Sequence, residues 1–115
     1  MKLCQLADLL EARTLCPGTP GRDAQCGYVC DLLSWVMARG QPGMAWITVQ
    51  THLNVIAVAA LHEMACVILP DGLSMEQAVL DKAGEEGVAV LSSPHPAYEV
   101  CGRLYTAGLM ASPEG

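Results

Sequence analysis

The sequence predicts a single α/β domain of three layers, a mostly parallel sheet flanked by helices, and three observations lead there. Apolar residues recur at helical spacing near both ends of the chain. From residue 44 onward, β-rich runs and helical runs alternate over short loops in the order βαβαβα. The length, 115 residues, suits one hydrophobic core and is short for two, so residues 1–115 are read as one domain.

Leu3, Leu6, Ala7 and Leu10 stand at i, i+3, i+4 and i+7, which predicts an amphipathic helix over Lys2 to Arg13 with Gln5, Asp8 and Glu11 facing away. Cys16-Pro17-Gly18-Thr19-Pro20-Gly21 breaks helix and strand alike and predicts an exposed connection as far as Gln25. A short strand is expected at Tyr28 to Cys30. Leu32, Leu33, Val36 and Met37 then have the spacing of one or two helical turns that stop before Gly40. The remaining elements are a strand Ala45 to Val49, a helix Asn54 to Ala65, a strand Cys66 to Leu69, a helix Met75 to Glu86, a strand Val88 to Leu91 and a helix Pro96 to Gly108. Ser74 with Gln77 three residues on reads as a capping box, and Gly87 and Gly108 read as helix stops. Strands joined by helices over short loops run parallel, with right-handed crossovers.

Composition narrows the function classes. Apolar residues make up 52% of the chain and aromatic residues 4%, with no Phe, so the core is aliphatic and the chain is not disordered. The longest mostly apolar run, Val55 to Leu69, is interrupted by His62 and Glu63 and falls short of the roughly 20 residues that span a bilayer. Asp8 and Glu11 interrupt the start of the chain, which therefore does not read as an export signal, and a cytoplasmic location is expected. Twelve acidic against six basic residues leave a net charge of −6, which opposes binding to nucleic acid. The six cysteines read as reduced thiols, with Cys66 and Cys101 inside apolar segments as core residues.

No phosphate-binding glycine loop of either common type is present, nor is G-x-S-x-G, so no catalytic residue is assigned and no cofactor is expected. Cys26 and Cys30, with Cys16 upstream, lack the C-x-x-C spacing of structural zinc and are kept only as an alternative redox or metal-sensing set. Polar residues gather where helices begin after strands. Gln50, Thr51, His52 and Asn54 follow one strand, and Ser92 and Ser93, with His95, follow another. In an open parallel sheet that end collects ligands, so these two loops are the candidate site for an adenine nucleotide or other anion. Thr, Asn and Ser are equally the residues that cap helices with no ligand involved. A catalytic acid or base, if the chain holds one, would be His52 or His95.

Arg22 to Ser34, then Val36-Met37-Ala38 and Trp46-Ile47-Thr48-Val49-Gln50-Thr51-His52-Leu53-Asn54, resemble the DRTGG domain family. The resemblance continues through Leu91-Ser92-Ser93-Pro94, Glu99-Val100 and Gly102 to Tyr105, and so covers nearly the whole chain. Asp23 and Gly27 match the ends of the name-giving stretch, while Ala24, Gln25 and Cys26 replace its centre. The resemblance implies an α/β fold related to the N-terminal domain of HPr kinase/phosphorylase. It also implies a regulatory or dimer-forming module of the kind found within phosphotransacetylase and CBS-domain pyrophosphatase chains. Stand-alone members occur beside iron-only hydrogenase components, which implies a protein partner in redox metabolism. The leading expectation is a homodimeric, non-catalytic regulatory or scaffold domain that associates through its apolar central helix and the Gly27 to Ser34 region. The alternative is a small-molecule sensor using the two polar loops.

Overall fold

Leu6 and Leu10, one turn apart, are fully buried and fix the inner face of the first helix, α1 (Leu3–Leu10), in this computed structural model, which describes residues 1–113. Glu11 then adopts a left-handed conformation, φ 53°, and the Ala12 amide bonds back to the Ala7 carbonyl, so the helix stops two residues before Arg13. The chain next forms a strand absent from the sequence reading, β1 (Arg13–Cys16). The remaining elements are β2 (Cys26–Val29), α2 (Leu33–Arg39), β3 (Met44–Ile47), α3 (Leu53–Leu61), β4 (Cys66–Leu69), α4 (Gln77–Glu86), β5 (Val90–Ser92) and α5 (Ala97–Thr106).

The sheet order is β1-β5-β4-β3-β2. β2 to β5 lie side by side in chain order and run parallel, while β1 pairs antiparallel with β5 at one edge. The three parallel crossovers all pass on one face, where Val36 of α2, Val55, Ile56, Val58 and Ala59 of α3, and Ala83 of α4 pack on Met44, Trp46, Val67, Leu69 and Val90. The alternate residues Ala45, Ile47, Cys66, Ile68 and Leu91 point to the other face and meet Leu6 and Leu10 of α1 and Val100 and Leu104 of α5. This is the three-layer, mostly parallel α/β arrangement.

Two further local readings change. Ser74 does not cap a helix: its hydroxyl lies 3.5 Å from the Met75 carbonyl, and α4 begins at Gln77 with Glu76 in the cap position. The connection from Pro17 to Gln25 is also more than an exposed linker. It crosses beneath the amino ends of the strands, where Thr19 bonds Gly87, Gln25 bonds Gly43 and Ala24 is buried. That course follows from β1 being antiparallel, because its last residue, Cys16, pairs with the first of β5. The carboxyl ends of β2, β3 and β4 are left clear of it.

Candidate functional site

Asp31, just past β2, organises the loop that leaves β3. Its Oδ1 accepts from the Thr48 hydroxyl at 2.8 Å and from the Val49 amide at 2.9 Å, and its backbone carbonyl accepts from Gln50 Nε2 at 3.2 Å. Thr48 is buried, and its hydroxyl also accepts the Gln50 amide at 3.1 Å. The loop is therefore held by side-chain bonds where the β3–β4 ladder ends. Sequence reasoning passed over Asp31 because an acidic residue between a strand and a helix reads as a turn, and its partners lie 17 and 18 residues away.

His52 caps α3. Its Nδ1 accepts the Asn54 amide at 3.1 Å, the role Ser, Thr, Asp or Asn usually fills. In the neutral ring this places the proton on Nε2 and leaves that atom a donor. Between this loop and the start of α4 lies a hollow of about 420 Å³, walled by Val49, Gln50, Thr51, His52 and Leu53 on one side and by Glu76 and Val79 on the other. Its size falls within the roughly 300–1,000 Å³ range of small-molecule sites. Glu76 is exposed, and its carboxylate makes no capping bond to α4.

The second polar loop stands apart from this hollow, because β4 separates β3 from β5. Ser92 Oγ donates to the Leu73 carbonyl at 2.5 Å, and Ser93 Oγ donates to the Leu10 carbonyl at 2.9 Å while accepting the His95 amide at 3.2 Å. Both serines are buried and tie neighbouring loops together. Asn54 is exposed on the first turn of α3 beside the hollow. The crossovers that share one face create no reversal of winding among β2 to β5. The hollow accordingly opens between the starts of two adjacent helices instead of in a crevice at such a reversal.

His95 lies on the face of α1 and α5, with Nε2 2.9 Å from Glu11 Oε1. Arg103 Nη1 donates to the same carboxylate oxygen at 3.4 Å and to the Leu9 carbonyl at 3.1 Å, and its Nε donates to Glu99 at 2.9 Å. The hydrogen bond from His95, its charge and that of Arg103 hold the Glu11 carboxyl below its ordinary value. His62 ends α3, with its ring against Gly40.

Cys16 and Cys26 occupy opposite edges of the sheet, four strand spacings or about 19 Å apart, so the set Cys16, Cys26 and Cys30 cannot share one metal ion. Among the described residues no group of three or more His, Cys, Asp or Glu is placed to hold a metal ion, and no helix is long and apolar enough to cross a membrane. Trp46 packs fully buried with its indole N–H donating to the Cys30 carbonyl at 2.8 Å, whereas Trp35 is half exposed beneath the Arg39 guanidinium, 4.9 Å from the ring centre.

No family model matches the chain, and no curated protein matches it. Among solved structures it is similar to the CBS and DRTGG domains of the regulatory region of Clostridium perfringens pyrophosphatase, determined in complex with an activator, diadenosine tetraphosphate. The two share 12% sequence identity with a TM-score of 0.71, over 96% of this chain and 50% of that one. The present chain thus spans half the length of that structure, and the likeness gives the fold: a DRTGG-like α/β architecture.

Proposed function

We propose that this domain is a non-catalytic regulatory module that works as a homodimer. The observation that carries the reading is the outer surface of α3. Leu53, Ala57 and Leu61, at i, i+4 and i+8, form an exposed ridge on the middle helix of its layer, with Leu53 44% and Leu61 67% exposed. On the neighbouring segment Leu32 and Trp35 are exposed as well. Apolar residues concentrated on one side of a small domain are the mark of a surface that another protein covers, and a closed two-fold pairing is the commonest form. Light scattering at micromolar concentration tests this directly. Dimeric mass is expected for the native chain and monomeric mass for Leu61→Glu with its fold retained; a native chain that is monomeric removes the reading.

A second reading has its own support in the hollow between the starts of α3 and α4. Gln50, Thr51 and His52, with Glu76 opposite, line a concave surface together with Val49, Leu53 and Val79, a mix of polar groups and apolar contacts that a small molecule can use. Asn54 stands next to it on the first turn of α3. The similar pyrophosphatase region was determined with a dinucleotide activator, which makes adenine nucleotides the first compounds to test. Ser92 and Ser93 support that end of the sheet from beside β4. A ligand that binds the native state raises the unfolding temperature with concentration, and Thr51→Val is expected to reduce that rise.

A further inference from the structure

Resting on the reading of this hollow as a nucleotide site, we infer that it takes the uncharged nucleoside end of its ligand and leaves the phosphates outside. A phosphate is held most firmly by cationic side chains, and no Lys or Arg is among the described residues that line the hollow. The amide of Val49 is bonded to Asp31, that of Gln50 to Thr48, that of Asn54 to the His52 ring and that of Val55 to the His52 carbonyl. The Asn54 and Val55 amides at the start of α3, which would otherwise attract an anion, are thus already bonded within the chain.

The local charge points the same way. Among the described residues that line the hollow, Glu76 carries the one carboxylate, and the Asp31 carboxylate is bonded to the other side of the same loop. Both repel a phosphate, as does the net charge of −6. A carboxylate is instead the acceptor for which vicinal hydroxyls are suited, the way an acidic residue holds ribose in dinucleotide folds. Val49, Leu53 and Val79 supply apolar surface for the face of a flat ring. Gln50, whose Nε2 is committed to Asp31, keeps Oε1 as an acceptor, and His52 Nε2 is a donor, so the polar groups suit the edge of a base.

Backbone NMR of the full chain, titrated separately with adenosine, AMP, ATP and inorganic tripolyphosphate, tests this. Adenosine is expected to shift the resonances of Gln50 to Leu53, added phosphates are expected to bring no gain in affinity, and tripolyphosphate is expected to leave those resonances unmoved. Glu76→Gln, an exposed substitution that leaves the fold in place, is expected to weaken adenosine about ten-fold, the loss of a hydrogen bond to a charged group. Affinity that climbs with each phosphate, or tripolyphosphate acting at these residues, overturns the inference while leaving a nucleotide site standing. If none of the four compounds moves these resonances, the nucleotide reading falls and the inference falls with it.

Discussion

The Thr48 hydroxyl donates to Asp31 Oδ1 at 2.8 Å and accepts the Gln50 amide at 3.1 Å, so a single buried side chain joins the end of β2 to the loop that opens the candidate site. Thr48→Val keeps the shape and deletes both bonds. Loss of a buried hydrogen bond costs about 1–2 kcal/mol where a partner is left unsatisfied. Denaturant unfolding is expected to show a loss of that order, and amide exchange of Val49 and Gln50 is expected to quicken. Asp31→Ala is expected to speed the same amides with less effect on the core, since Asp31 itself is exposed. Unchanged exchange in both variants would show that the loop is held by something else.

Glu11 gives the fold a dependence on pH. Hydrogen bonding and charge from His95, with charge from Arg103, lower its pKa from 4.5, so the native state binds a proton there less readily than the unfolded chain does. A carboxylate lowered in this way adds stability above the unfolded value and loses it as pH falls through the native value. Glu11→Gln is therefore expected to be less stable than the native chain at neutral pH and to converge with it below pH 4.5. Urea midpoints for both proteins across that range check the sign. A difference that widens on acidification contradicts it.

The thiols divide by burial. Cys66 sits wholly inside the sheet, and burial pushes its thiol up to about 12, which leaves almost no thiolate at neutral pH. Cys101 is partly buried and raised for the same reason, whereas Cys4 is exposed on α1. Limited alkylation of the native protein followed by mass mapping is expected to mark Cys4 first and Cys66 only after unfolding. Early labelling of Cys66 would mean that β4 opens to solvent.

Most of this architecture was legible because periodicity and burial agree in the central elements. Cys66 to Leu69 is an unbroken apolar run and is buried at every position, as a central parallel strand requires. β1 was missed because Arg13, Thr14, Leu15 and Cys16 follow the helix with only Glu11 and Ala12 between them, and no Gly, Asn or Pro marks the stop. The left-handed turn is taken by Glu11, a residue that rarely adopts it. The loop after β3 was legible by its polarity, but its organiser was not, because the bonds from Asp31 span the α2 crossover. Ser92 and Ser93 looked equivalent to Gln50 and Thr51 by position. The strand between them and the direction of their hydroxyls became visible only in three dimensions.

The connection beneath the sheet supplies a test that separates backbone strain from packing. Gly18 and Gly21 both have positive φ, 69° and 80°, so Ala at either position pays the left-handed penalty of about 1–2 kcal/mol. They differ in surroundings. A Cβ on Gly18 would meet the Ala89 backbone nitrogen at 2.5 Å, at the entrance to β5, while one on Gly21 meets nothing within 4 Å. Backbone in a sheet cannot swing aside like the end of a side chain, so Gly18→Ala has to move either the connection or β5 itself. Gly21→Ala is expected to lose only the conformational penalty, and Gly18→Ala to lose more and to perturb the β1–β5 pairing, read as faster amide exchange in Thr14 and Leu91. Equal losses from the two substitutions would show that the connection lifts away from Ala89 with ease, and that it is not a structural part of the sheet's lower edge.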